Sequence, residues 1–209
     1  MEDLLLLPIL LFFLAGMNSL NTSATVFTLR NQCPYTIWPG TLSGDSGAVL
    51  GGGGFELSPG ASASLSAGPG WSGRFWARTG CSFPGSGFNG SCTTGDCAGS
   101  LRCTSGGSPP VTLAEFTLGG SKDFYDVSLV DGYNVGVGIR PAAASCRYAG
   151  CLADLNNRCP AELRVVAAEA AGSGVVACRS ACDAFGWAEY CCTGTHASPS
   201  TCGPTRHYQ

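Results

Sequence analysis

The chain has 209 residues, a formal net charge of −3 and only 12% charged residues, against 31 glycines and 13 cysteines. Ten of its 11 basic residues are Arg and the other is Lys122; they form no run, which argues against a phosphate-tracking nucleic-acid surface. No C-x2-C pair of the structural-zinc kind and no cofactor motif occur, so neither a metal nor a cofactor is expected. An odd cysteine count cannot close entirely on itself within one chain. Leu4 to Met17 is an apolar run broken only by Pro8, shorter than the roughly 20 residues a membrane span needs. Small residues follow at Thr22-Ser23-Ala24, so residues 1–24 read as a cleaved signal peptide, although Glu2 and Asp3 stand where positive charge is usual. In an exported chain the spacings Cys92-x4-Cys97, Cys97-x5-Cys103, Cys146-x4-Cys151 and Cys178-x3-Cys182 point to disulfides rather than metal.

Residues 25–145 read as short strands punctuated by Gly/Pro turns, the pattern of a β-sandwich or barrel. Thr25 to Arg30 alternates and is β-branched, and Tyr35 to Trp38 is a second strand candidate. Ser43 to Gly54 is a Gly/Ser-rich exposed loop, and Ser62 to Leu65 a short strand. Gly73 to Arg78 places Arg74, Trp76 and Arg78 on one side and Phe75 and Ala77 on the other. Val111 to Leu118 alternates likewise, with Ala114, Phe116 and Leu118 opposite Glu115 and Thr117. Asp123 to Val130 is a further strand closed by the turn pair Asp131-Gly132, and Asn134 to Ile139 another, stopped by Pro141.

From Cys146 to residue 209 the texture changes to a small Cys-rich subdomain of short helices and loops. Pro160 to Ala171 is rich in helix formers with Pro near its start. Cys178 and Cys182 stand one helical turn apart, on one face if the segment is helical. Trp38, Trp71, Trp76 and Trp187 suit buried core or bridge-packing positions more often than sugar stacking. His196 and His207 have no Ser or Cys partner at a diagnostic spacing, and Asn89-Gly-Ser91 is a glycosylation sequon beside Cys92.

Several of these stretches together resemble the thaumatin-like proteins, plant defence proteins of the pathogenesis-related type. They are A-T-V-F-T-L-R-N-Q-C-P-Y-T-I-W, G-R-F-W-A-R-T-G-C up to Cys81, Cys92-T-T-G-D-Cys97-A-G-S-L-R-Cys103, D-F-Y-D-V-S-L-V-D-G-Y-N and C-R-S-A-C-D-A-F-G through E-Y-C-C. One departure is Phe88, where the family signature usually has Gly. The resemblance implies a mainly β, thaumatin-like β-sandwich with a small disulfide-rich subdomain containing short helices. It also implies the pairs Cys81–Cys92, Cys97–Cys103, Cys159–Cys178, Cys182–Cys191 and Cys192–Cys202. Cys33, Cys146 and Cys151 would be unpaired, because the family's last three cysteines have no counterpart here; on that reading the product is truncated at its C-terminus and carries reactive thiols.

The same resemblance implies an acidic cleft at Arg74, Glu115, Asp126 and Asp131. By the residues alone these positions are weaker evidence. Glu115 on a polar strand face is solvated by default, Asp131 suits its turn, and Arg74 suits a structural ion pair. Asp126 and Asp131 are an odd number apart and converge only if the chain bends between them. The expected function is that of an antifungal protein, secreted to the apoplast or held in the vacuole, that binds fungal cell-wall β-glucan or perturbs a membrane component through the cleft. The alternatives are a weak endo-β-1,3-glucanase with Glu115 and Asp126 as catalytic carboxyls, and a truncated product with little activity. The expected state is a monomer, with intermolecular disulfides open to the unpaired cysteines and no nucleic-acid partner.

Overall fold

A computed structural model describes residues 24–44, 47–85, 87–119, 121–167, 174–205 and 207. The expected signal peptide lies outside the described residues, apart from Ala24. The chain is mainly β. Strand β1 (Thr25–Arg30) pairs with β3 (Ser62–Ala67) in a two-stranded antiparallel ribbon. Strands β2 (Ile37–Ser43), β4 (Ser72–Thr79), β5 (Leu113–Thr117) and β6 (Phe124–Ser128) form an antiparallel sheet in the order β2-β4-β5-β6.

The core between ribbon and sheet follows from the period-two pattern of the strands. Phe27, Leu29 and Leu65 of the ribbon pack on Trp71, Phe75 and Ala114. Phe27 meets Phe75 and Phe116 edge-on, at ring-centroid separations of 5.0 and 4.7 Å. Such tilted aromatic contacts add about 0.5–1.5 kcal/mol beyond the area they bury. A second patch of this layer joins Ile37, Leu57, Ala77 and Val135. The opposite face of the sheet is apolar only at one end, where Trp76 and Leu113 pack under the Cys97–Cys103 loop with Val111. A side chain at Gly40 would put its Cβ 2.3 Å from the Trp76 ring, so the indole lies flat on β2 only because that residue is Gly.

Three local expectations change once packing is considered. The strand expected over Asn134–Ile139 is reduced to β7 (Gly138–Ile139), paired with β8 (Ala149–Gly150). Asn134 is instead buried as a polar junction. Its Nδ2 donates to Ala77 O and Thr94 Oγ1, and its Oδ1 accepts from the amides of Thr112 and Val135. The helix expected from Pro160 becomes a 3₁₀ turn (Ala161–Leu163) and a strand, β9 (Arg164–Val166), within the described residues. Strand β9 pairs antiparallel with β10 (Val175–Cys178), and the Cys159–Cys178 disulfide ties this pair; tertiary pairing overrides helix propensity here.

Cys178 ends β10, whereas Cys182 lies in the short helix α1 (Ala181–Phe185), so the two do not share a helix face. Cys182 is bonded to Cys191 of α2 (Ala188–Cys191), and Cys192 to Cys202. The Cys81–Cys92 bridge completes the disulfides among the described residues, and Cys33, Cys146 and Cys151 are free thiols. No helix among the described residues is long and apolar enough to cross a membrane.

Candidate functional site

The uncovered end of the sheet's outer face carries a row of four side chains set by strand register. Leu42 pairs with Arg74, Arg74 with Glu115, and Glu115 with Asp126. Directly opposed residues of antiparallel strands point to the same side, with Cβ atoms about 4.5–5.5 Å apart. One cation and two carboxylates therefore stand side by side across β4, β5 and β6. They form the floor of an open groove of about 430 Å³, walled by Ser43, Gly44, Ser72, Thr117 and Phe124.

Asp131 reaches this neighbourhood because the chain bends. The amide of Gly132, at φ 87°, donates to Leu129 O, closing a tight turn after β6. Val111 N donates to Asp131 O, and Tyr133 exchanges backbone hydrogen bonds with Cys178, so the turn is anchored to both the sheet and β10. The structure thus brings Arg74, Glu115 and Asp126 together in one row and sets Asp131 further along the same strand pair, opposite Val111, near enough for its charge to act on Glu115.

The electrostatics single out Glu115. Partial burial holds its carboxyl above the ordinary value of 4.5; Asp126 and, more weakly, Asp131 push it further up, while Arg74 pulls it down. The net shift is upward, with burial its largest cause and the repulsion from Asp126 larger than the pull of Arg74. Among the described residues no carboxylate lies within 4.0 Å of the Arg74 guanidinium. That guanidinium lies beside Gly106 instead, where an added Cβ would come within 2.8 Å of its terminal nitrogen. Arg74 therefore acts on the row through its field rather than as a closed ion pair, and its N–H groups remain available to a ligand.

Sequence reasoning missed the different role of Arg78, which shares the strand face of Arg74. Arg78 is fully buried. Its five N–H groups are all used: Nε donates to Trp38 O, one terminal nitrogen to Ser100 O and Cys97 Sγ, the other to Leu101 O and Pro39 O. Desolvation lowers its pKa to about 10, with Asp96 opposing, so it stays charged at neutral pH. It is the strut that fastens the Cys97–Cys103 loop over one end of the sheet. Its only signal in the sequence is the shared spacing with Arg74, which does not separate the two roles.

The profile described as "Thaumatin family" matches residues 31–209. "Pathogenesis-related protein 5" of Arabidopsis thaliana is 59% identical over 200 residues, spanning 94% of this chain and 81% of its own. A protein of Prunus avium named "Glucan endo-1,3-beta-glucosidase" is 46% identical over 190 residues, 88% of this chain and 76% of that one. Among solved structures, that of the thaumatin-like xylanase inhibitor TLXI is 40% identical and superposes with a TM-score of 0.46, covering 52% of this chain and 71% of that one.

Proposed function

From a chain that belongs to the thaumatin family and is a pathogenesis-related defence protein of the thaumatin-like kind, we propose a specific task for the groove: it binds the β-glucan of fungal cell walls. The observation that carries this reading is the row Arg74–Glu115–Asp126 on the floor of an open groove. A neutral polysaccharide offers hydroxyl groups that both donate and accept. The Asp126 carboxyl oxygens accept from hydroxyls, Arg74 donates to them, and Glu115 does either according to its protonation state. A groove of this size admits a few sugar rings lying along the sheet rather than a globular partner.

A second reading, weak endo-β-1,3-glucanase activity, draws on the raised carboxyl of Glu115 beside exposed Asp126 and on the name of the Prunus avium relative. Glycoside hydrolysis needs one protonated and one ionised carboxyl flanking the scissile bond, about 5–9.5 Å apart. The register sets Glu115 directly opposite Asp126, with Cβ atoms about 4.5–5.5 Å apart, and both carboxyls rise from the same sheet floor rather than from facing walls. Binding is therefore the leading reading.

A laminarin pull-down tests binding, and release of reducing sugar from the same polymer tests hydrolysis. The expected result is retention on laminarin that is lost when Glu115, Asp126 and Asp131 are together replaced by their amides. Retention that survives the triple replacement would remove the groove from the function. Reducing-sugar release that disappears in Glu115→Gln would establish the second reading, and release that persists would take Glu115 out of the catalytic role.

A further inference from the structure

The four tryptophans divide sharply in their surroundings. Trp71 and Trp76 are 3% and 2% exposed. Their indole N–H groups are satisfied, Trp71 by Ser43 Oγ and Ala48 O and Trp76 by Gly95 O. Trp38 is half-buried in β2. Trp187 is 56% exposed, and among the described residues its indole N–H donates to no protein acceptor. A tryptophan left largely in water with an unused donor departs from the buried role expected of it.

Trp187 is nonetheless held in place. It lies between α1 and α2, directly after Gly186, whose left-handed φ of 65° ends α1. The Cys182–Cys191 bridge clamps the two helices on either side of it. Behind the indole, the ring of Tyr190, only 8% exposed, is stacked nearly parallel at 16° and 5.6 Å. Phe185 packs against both, 5.4 Å from Trp187 and 5.6 Å from Tyr190. One side of the indole is thus backed by aromatic rings, and much of the remainder faces solvent. A flat, rigid, amphipathic surface of this kind loses little conformational freedom on binding.

We propose that Trp187 is a second carbohydrate-binding position, separate from the groove, that stacks on a pyranose ring of a neutral β-linked glucan. The β-glucopyranose ring carries its hydroxyls equatorially, so its two faces present C–H groups that match an indole plane, while its rim hydroxyls accept from the free indole N–H. Asp183 and Glu189, exposed on the same helical pair, disfavour anionic polymers and accept from sugar hydroxyls. Trp187 does not line the groove over Arg74, Glu115 and Asp126. Two positions engaging one polymer raise its apparent affinity above that of a short oligosaccharide without any new contact. The polymer's identity rests on the β-glucan reading above; the stacking geometry does not.

The test titrates the full chain with laminarin, following tryptophan fluorescence and bound fraction, in the wild type, Trp187→Ala, Trp187→Phe and the Glu115→Gln/Asp126→Asn double variant. Trp187→Ala is expected to weaken laminarin binding about three- to tenfold, the worth of one aromatic stack. Trp187→Phe is expected to retain most of the affinity while losing the fluorescence response, a readout that does not depend on Trp187→Ala folding well. The double variant is expected to keep that response. Laminarin binding in Trp187→Ala equal to wild type, or a response that persists in Trp187→Phe, overturns the proposal and leaves the groove reading intact. Weakening by Trp187→Ala with no effect of the double variant supports it and removes the groove instead. Absence of laminarin binding by every form overturns both.

Discussion

Strand β4 carries two arginines on one face, four positions apart, and the two ends of that face have become opposite kinds of place. At the Arg78 end the Cys97–Cys103 loop closes over the sheet, and every guanidinium N–H is spent on acceptors of that loop and of β2. At the Arg74 end the sheet face opens into the groove, with Gly106 beside the guanidinium. The guanidinium there is opposed by Glu115, and Asp126 follows one strand further on. The same residue type is a structural strut where water is excluded and an open cation where water is admitted. A buried cation has to be fully hydrogen-bonded, because an unmatched one costs several kcal/mol, whereas an exposed one keeps spare donors at little cost.

The sharpest way to break this comparison is to remove the strut. Arg78→Ala would leave several buried carbonyls without donors, each worth about 1–3 kcal/mol. It is expected to destabilise the fold by roughly 3–5 kcal/mol, read from the urea midpoint. The corresponding Arg74→Ala should move that midpoint little. Equal destabilisation by the two variants would erase the distinction between the ends.

A smaller effect concerns pH. The folded-state pKa of Glu115 is raised, so the folded chain binds this proton more tightly than the unfolded chain does. Stability contributed by the protonated form is therefore present below the ordinary value of 4.5 and is lost as pH rises through the raised value. Glu115→Gln should be at least as stable as wild type at neutral pH, and its advantage should shrink as pH falls through the raised value towards 4.5, below which it is gone. Denaturant midpoints across that window check it; an advantage that grows on acidification would contradict the raised carboxyl.

The smallest expected change is in Glu115 itself. Its side-chain carboxyl, titrated by NMR, should shift down in Asp126→Asn and up in Arg74→Gln, because the first removes a repelling charge and the second an attracting one. Asp131→Asn should lower it less than Asp126→Asn does, as the repulsion from Asp131 is the weaker of the two. A carboxyl indifferent to all three would mean that the row exists in the register only.

Much of the fold was legible in the residues because strands advertise themselves by period two. Phe75 and Ala77 against Arg74, Trp76 and Arg78, and Ala114 and Phe116 against Glu115, take the opposed faces that alternation assigns. The region after Cys146 was read less well. Pro160 to Ala171 looks helical by propensity, yet Arg164–Val166 within it form a strand because β10 offers hydrogen bonds and the Cys159–Cys178 bridge ties the two segments. Local preferences of a few tenths of a kcal/mol per residue yield readily to such pairing. The candidate site was named through family resemblance rather than alternation. Alternation alone put Asp126 and Asp131 on opposite faces, and only the turn at Leu129–Gly132 carries Asp131 back towards Glu115.

By itself, then, the chain of residues determined the β-rich class, the membership of the family and which side chains face which way along each strand, since these depend on local periodicity and motif spacing. What only the tertiary structure decided is which of two equivalent arginines is sealed and which is open, and which tryptophan is left in water. Those outcomes depend on where a distant loop folds back over the sheet and where two short helices are clamped together. Burial is a property of the neighbours that arrive, and no local pattern records them.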